Sequence, residues 1–389
     1  MSKYCPFVHD SIHFTTDGKV ANCCLQDTRG FPTVIDVDFN NLNTWYFNHP
    51  FLKKIREDLY AGIEHASCET CWKKERNGYA SKRTIFLKER NKKHDKNEVL
   101  IQKIDYRISN KCNLQCKMCW PGASDQIANL AKELDTKNIK HLHFIPPEVP
   151  DYGNKVTKEL LENNNLTEIS FAGGEPFIMP EVEELLIKLA ERNKLDIKIR
   201  ILTNVTTIKT SVLNALEKFN NVTIMASIDG VGEEIEYQRY PASWKTISKN
   251  FDRLYNSKIS RINLTPCISF LNYRTIPEFF EWAEQYPKSH IAFNLVENEG
   301  KSYINYRYIP MQSRTNTIEK FKNYKFKNPV HQGWKFFQQK GMYEYVEPSQ
   351  EACDNLLLQS KNAWDYKCKV KFLDAYPWAT YMLDRAKTA

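Results

Sequence analysis

From Ile101 onward, short β-rich apolar runs alternate with amphipathic stretches. The runs at 101–109, 167–172, 197–203, 222–228, 262–269 and 291–296 read as strands. Between them, 123–134, 180–192, 211–219, 244–255 and 277–285 read as helices, and the long first connection holds an extra helix near 156–163. Strands separated by helices pair in parallel, because each crossover returns the chain to the same end of the sheet. Six such units suit an open or closed β/α barrel, in which chemistry gathers at the C-terminal ends of the strands.

The first hundred residues follow another pattern. Asp17-Gly18 reads as a tight turn between short strands at 11–15 and 19–22. Residues 50–60 read as a helix: Pro50 suits its first turn, Phe51, Leu52, Ile55 and Leu59 share one face, and Gly62 is a stop. The charged run RNKKHDKN at 90–97 reads as a linker. At the other end, Trp334, Phe336, Phe337, Trp364, Phe372, Tyr376, Trp378 and Tyr381 stand among many lysines. Aromatic residues at these intervals read as core of a mostly helical extension rather than as stacking platforms for bases. The expected division is 1–97, a cysteine-rich module, 98–300, the βα series, and 301–389, the extension.

Composition narrows the function classes. The 389 residues suit two or three domains, and 42% hydrophobic content supports a real core. No run of about 18 apolar residues exists to span a membrane, and the start MSKYCPFVHD lacks the apolar stretch of a signal peptide, so a cytoplasmic location without membrane contact is expected. The net charge of +8 fits a solvated, Lys-rich and Asn-rich surface; a nucleic-acid partner is the sharper reading, but no basic block or nucleic-acid-binding motif accompanies it. Eleven cysteines in a reducing compartment point to metal or redox chemistry rather than disulfides.

Seven of those cysteines fall in tight groups: Cys23 and Cys24, Cys68 and Cys71, and Cys112, Cys116 and Cys119. The last three form CxxxCxxC directly after the first strand of the βα series. Three thiolates on one loop can hold three corners of a 4Fe–4S cube, which normally takes four cysteines. One iron is then open, and an open position is where a metal centre reacts. A zinc knuckle is the competing reading, although zinc sites usually show paired CxxC groups closed to four ligands.

This triplet, in that position, resembles the radical S-adenosylmethionine (SAM) enzymes. The resemblance implies an α/β fold, a partial (β/α)6 TIM-like radical SAM barrel with a small N-terminal cysteine-rich module and a C-terminal, mostly helical extension. It implies that the open iron binds the amino and carboxylate groups of SAM, that one electron cleaves SAM to methionine and a 5′-deoxyadenosyl radical, and that this radical abstracts hydrogen from a substrate. Further strand ends match the family in order. Gly173, Gly174, Glu175 and Pro176 match its GGEP element, where glycines expose backbone polar groups and Glu175 offers an acceptor for a cationic amine. Thr203-Asn204 is similar to its TNG element, with Val205 where glycine is common. Ser227 and Asp229, in SIDG, resemble its SxDG element, which holds the ribose and methionyl parts of SAM, and Arg239 resembles an arginine that follows it near the SAM carboxylate. Cys267, Asn272, Asn294 and Glu297, near the last two strands, are substrate-facing candidates, each more simply read as a satisfied polar residue at a barrel mouth.

The N-terminal cysteines carry a second resemblance. Cys5, twelve residues, Gly18, four residues and Cys23, followed by Cys68-Glu-Thr-Cys71, is similar to the SPASM and twitch modules of radical SAM enzymes, and Trp45, Gly62, Trp72, Glu75, Gly78, Ser81 and Arg83 extend the match. It implies a second, auxiliary 4Fe–4S cluster on Cys5, Cys23, Cys68 and Cys71, the Gly18 spacing selecting Cys23 over Cys24. A four-cysteine zinc site is also compatible with the spacing, while His9 and His13 read as structural. Resemblance further implies an electron donor such as flavodoxin or ferredoxin and a peptide or protein side chain as substrate. The other readings are a radical SAM enzyme acting on RNA or a nucleotide, and a catalytically silent metal-bound scaffold, against which the intact triplet and GGEP argue.

Overall fold

The computed structural model describes residues 3–89, 98–146, 151–296, 303–320, 322–327, 330–341, 345–366, 368 and 370–386. The expected linker at 90–97, the candidate Glu297 and the expected boundary at 300 lie outside the described residues. The chain forms two compact units, both α/β. One contains Met1–Asn110, Pro147–Ile201 and Asn214–Asn221; the other contains Lys111–Pro146, Leu202–Leu213 and Val222–Ala389.

In the first unit, β1 (Ser11–Phe14) and β2 (Val20–Ala21) form the antiparallel hairpin that Asp17-Gly18 predicts, with Gly18 at φ 73°. β1 then pairs in parallel with β3 (Lys103–Tyr106), β3 with β4 (Glu168–Phe171), and β4 with β5 (Lys198–Thr203). The cysteine-rich segment therefore supplies an edge of the same sheet on which the βα series begins. One face of these strands is apolar and buried: Ile12, Phe14, Ile104, Tyr106, Ile169, Phe171, Ile199 and Ile201. Helices Gly153–Glu162 and Pro180–Glu191 bury Val156, Leu160, Leu185 and Leu189, each such side chain contributing about 1.5–3 kcal/mol. Helix Pro50–Tyr60 has the expected bounds, buries Leu52, Ile55 and Leu59, and stops before Gly62 at φ 81°.

The opposite face of the same strands is charged. Ser11, Lys103, Glu168 and Lys198 stand in one row of the register, and His13, Asp105, Ser170 and Arg200 in the next row along the strands. Parallel strands covered on both faces read as near-continuous apolar runs. The alternation here marks one face as polar, a signal present in KIDY, EISF and KIRILT.

In the second unit, β6 (Val222–Ala226) pairs in parallel with β7 (Arg261–Leu264), and β8 (Cys267–Ile268) lies beyond β7 in the chain. β7 also pairs in parallel with β9 (His290–Ile291), and β8 with β10 (Asn294–Leu295). The strands expected at 262–269 and 291–296 are thus each broken in two. Pro266, between β7 and β8, has no N–H for a ladder, and its carbonyl instead accepts from Asn294 N at 3.0 Å. Helix Trp244–Tyr255 has the expected bounds and buries Ile247, Phe251 and Leu254. Trp334 and Phe337 pack on Phe280, and Phe372 lies between Trp364 and Tyr376, so these late aromatics are core. Among the described residues no helix is long and apolar enough to cross a membrane.

Gly173, at the end of β4, has φ 111°, and a Cβ there would meet the Ser109 carbonyl at 2.7 Å. A Gly173→Ala protein combines that clash with a backbone disfavoured for L-residues and is expected to lose about 2–4 kcal/mol of stability. Urea unfolding measures it; an unchanged midpoint contradicts the close approach.

Candidate metal centre and cofactor site

The cysteine loop belongs to the second unit and is tied down by its backbone. Cys112 N donates to Asp125 Oδ1 at 2.8 Å, in the first turn of helix Asp125–Thr136, while that helix's N-cap Ser124 donates its hydroxyl to Leu114 O at 2.7 Å. Gln115 N donates to Tyr240 O at 2.6 Å, and Lys117 N to Gln238 O at 2.8 Å. These two bonds straddle Cys116 on one strand of chain and Arg239 on the other, setting the two residues opposite each other.

Arg239 is thereby delivered to the sulfur. Its Nη1 lies 3.8 Å from Cys116 Sγ, and its Nε donates to Asp229 Oδ2 at 2.6 Å. The other oxygen of Asp229 accepts from Cys267 N at 2.8 Å, and its carbonyl accepts from Asn272 Nδ2 at 2.7 Å. Asp229 is fully buried with both carboxylate oxygens engaged inside the protein, so in this conformation it orients Arg239. Asn272, donating also to Cys267 O and accepting from Ser269, is a satisfied structural amide; Asn294 is exposed on β10.

Asn204 reaches the same loop from the end of β5. Its Nδ2 donates to Asn113 Oδ1 at 2.9 Å, and Asn113 Nδ2 donates to Thr206 Oγ1 at 2.8 Å. Thr206 closes the triangle on Asn204 Oδ1. Asn113 and Thr206 were absent from the sequence reading; only the adjacency of Asn113 to Cys112 marks them. Val205 takes φ 62°, a left-handed conformation that a β-branched residue rarely adopts. Its carbonyl is held by Asn250 Nδ2 at 2.9 Å and its N–H by Thr203 Oγ1 at 3.0 Å.

The electrostatics suit an electron-rich, thiophilic group. The three thiols are partly exposed yet densely surrounded. Burial pushes the Cys116 thiol far up, Arg239 opposes this, and Cys119 and Cys112 add to it, as crowded thiols do. Burial and Asp229 push Cys267 up to about 12, against Arg239, with Cys119 also felt. Lys117, buried between these cysteines in sequence, sends its amine to Trp364 O and Cys368 Sγ, each 3.4 Å away, over the Tyr237 ring. Cys112 and Cys119 are felt at the Cys116 thiol and the Arg239 guanidinium stands beside it, but among the described residues no three potential metal ligands are gathered closely enough to hold a metal ion.

Ser227, after β6, is partly exposed, and its N–H is used on Thr203 O at 2.8 Å. Gly173–Pro176 belongs to the first unit. There Gly174 N donates to Ser109 O at 3.0 Å, and Glu175, almost fully buried, accepts from Phe177 N at 3.1 Å as the N-cap of the turn Pro176–Ile178.

The first unit also gathers the N-terminal cysteines. Cys5, Cys23, Cys68 and Cys71 line one cavity, with Trp72, Gln26 and Arg83 in its wall. Cys68 is the N-cap of helix Glu69–Arg76 and Cys71 lies in its first turn, where the helix dipole favours negative charge. Gln26 Nε2 lies 3.5 Å from Cys68 Sγ. Burial raises the Cys5 thiol well above its ordinary value, and Cys23, Cys68 and Cys71 raise it further. Arg83 pairs with Glu75 and donates to Tyr4 O at 2.9 Å, fastening the chain beside Cys5. Cys24 is directed elsewhere: it accepts from Lys82 Nζ at 3.2 Å and lines a second cavity.

Residues 106–283 match the family model described as Radical SAM superfamily. The chain is 29% identical over 139 residues to the radical SAM cyclopropyl synthase TigE of Paramaledivibacter caminithermalis, covering 35% of this chain and 29% of TigE. It is 25% identical over 131 residues to the antilisterial bacteriocin subtilosin biosynthesis protein AlbA of Bacillus subtilis, covering 33% of this chain and 25% of AlbA. The match thus spans less than a third of the length of either curated relative. Among solved structures, Streptococcus suis SuiB aligns over 78% of this chain and 66% of its own at 14% identity, with a TM-score of 0.40.

Arg239→Met would leave the Asp229 carboxylate buried without its cation, at an expected cost of about 3–5 kcal/mol. Adding Asp229→Asn should recover part of that loss, since the two residues act as a pair. Urea denaturation of the three variants reads both effects, and additive losses would mean that the pair is not coupled. The span of residues 106–283 that matches the Radical SAM superfamily model contains the cysteine triplet and each strand-end segment tied to it.

Proposed function

We propose that the chain is a radical SAM enzyme that abstracts hydrogen from a peptide or protein side chain in the cytoplasm. The observation that carries this reading is the tethering of two strand-end segments to the cysteine loop: Asn204 on Asn113, and Asp229 through Arg239 on Cys116. Cys112, Cys116 and Cys119 would hold a 4Fe–4S cluster, which with bound SAM supplies reductive cleavage to a 5′-deoxyadenosyl radical. Arg239 keeps a positive charge beside the Cys116 sulfur, and Asp229 keeps Arg239 in place. Gly173, Gly174, Glu175, Pro176, Asn204, Ser227, Asp229 and Arg239 are assigned to SAM binding. The partial barrel, flanked by a twitch/SPASM-like module at 1–97 and a helical extension at 301–389, is the architecture this reading requires.

Cys5, Cys23, Cys68 and Cys71 are assigned to an auxiliary 4Fe–4S cluster, supported by their shared cavity and by the helix N-terminus at Cys68 and Cys71. Four protein thiolates leave no open iron, so that centre exchanges electrons or fastens the module. A peptide substrate is supported by the relative named for the biosynthesis of a bacteriocin. The electron donor is assigned to the flavodoxin or ferredoxin class.

Anaerobic protein given iron, sulfide and a strong reductant is expected to convert SAM to 5′-deoxyadenosine. Replacing Cys112, Cys116 and Cys119 together by Ala should abolish the product; undiminished formation by that variant would sink the assignment. The same variant tests the second centre. It should retain about four irons per chain, one cubane cluster. Retention of one zinc and no iron would make the N-terminal site structural zinc.

A further inference from the structure

The cavity that receives Cys24 adjoins the cavity of the four cysteines, sharing Phe7, Asn22, Cys23 and Lys82 with it, and has a different character. It measures about 120 Å³ and lies against the charged face of β1, β3, β4 and β5. His13, Asp105, Glu168, Ser170 and Arg200 form its floor, and Lys82 and Lys103 stand at its side.

Its two carboxylates are already matched. Asp105 accepts from Arg107 at 2.8 and 3.1 Å and lies 3.3 Å from His13 Nδ1. Glu168 lies 3.1 Å from Arg200 Nε. The two ammonium groups are not. Lys82 contacts the Cys24 sulfur and the Phe7 ring, 4.7 Å away, and Lys103 lies 5.2 Å from the Phe86 ring. Phe7 and Phe86 pack on each other at 4.7 Å, so the two lysines lean over one aromatic pair. Neither forms a close ion pair among the described residues, although Lys82 feels the Asp105 charge and Lys103 stands opposite Glu168 in the register. One further group there makes no hydrogen bond among the described residues, the Ser170 hydroxyl.

An ammonium group in an aromatic-walled cavity loses hydration that cation–π contact only partly returns. An incoming carboxylate would restore it through charge-assisted hydrogen bonds. Size limits the choice. At about 30 Å³ of liquid volume per water, and with benzene filling about 150 Å³, the space suits a carboxylate on one or two methylenes and excludes a nucleoside. We propose that this cavity is a binding subsite for the carboxylate side chain of an acidic residue, aspartyl or glutamyl, in the peptide substrate, held between Lys82 and Lys103 with Ser170 as a further donor. The proposal rests on the peptide-modifying reading above and names the chemistry of that peptide.

The test uses the full-length protein, without SAM or reductant, and titrates N-acetyl-glutamate α-amide against N-acetyl-glutamine α-amide by ligand-observed NMR. The acidic probe should bind about tenfold or more tightly than the neutral one, the discrimination expected of a charge-assisted bond. Lys103→Gln should abolish the preference and Lys103→Arg should keep it; Lys82→Gln and Lys82→Arg repeat the comparison should either first variant not fold. Equal binding of both probes, no binding of either, or a preference that survives Lys103→Gln and Lys82→Gln overturns the proposal. Binding of free glutarate but not of the blocked glutamyl probe overturns the peptide assignment and makes the ligand a small acid. Because no SAM is cleaved, protein that fails here yet forms 5′-deoxyadenosine loses the subsite and keeps its proposed activity.

Discussion

The second unit depends on a buried ion pair aimed at a sulfur. Arg239 is held on one side by Asp229, which has no solvent exposure, and faces Cys116 on the other. Neither charge is tolerable alone in that interior. The requirement spreads outward: Asp229 also takes the Cys267 amide, fixing β8, and Asn272 fixes the Asp229 backbone. The broken strands after β7 follow from this local accounting, since β8 is fastened to Asp229 and β10 while Pro266 withholds a ladder bond. One charge placed at a thiol thus ties Asp229, the start of β8 and Asn272 into one network.

In the first unit the ordering principle is a sheet with one greasy and one charged face. Ile104 and Tyr106 bury themselves while Lys103 and Asp105 turn away from them, and Glu168–Ser170 and Lys198–Arg200 continue the division. Arg200 pairs with Glu168, and His13 lies 3.3 Å from Asp105, so charged and polar groups on that face find neighbours on the adjacent strands. This pairing also leaves Lys82 and Lys103 as the surplus.

Much of this was legible in the amino-acid order because spacing and period are local. Phe51, Leu52, Ile55 and Leu59 foretell helix Pro50–Tyr60, and the hairpin follows from Asp17-Gly18. The grouping of Cys5 and Cys23 with Cys68 and Cys71 around one cavity follows the motif spacing. Partnerships across the chain were not legible. Nothing near Asn113 announces Asn204 or Thr206, and nothing in GGEP announces that Gly174 spends its N–H on Ser109. Gly173 is glycine because a carbonyl lies where its side chain would be, a reason distinct from closeness to a ligand. The charged alternation in β3, β4 and β5 was open to inspection, but a parallel-strand reading attends to apolar runs and passes over what lies between them.

Lys117 has a consequence for the order of events during synthesis. It sits inside the cysteine triplet, yet its buried amine rests on Trp364 and Cys368, about 250 positions later. Chains emerge from the ribosome N-terminus first, at about 5–20 residues per second. The cysteine loop therefore keeps this lysine uncovered while the intervening positions are made, and reaches its final packing only once residue 368 has emerged. Until then the loop lacks the packing that Trp364 and Cys368 give Lys117, and the finished loop exists only after residue 368 has been made.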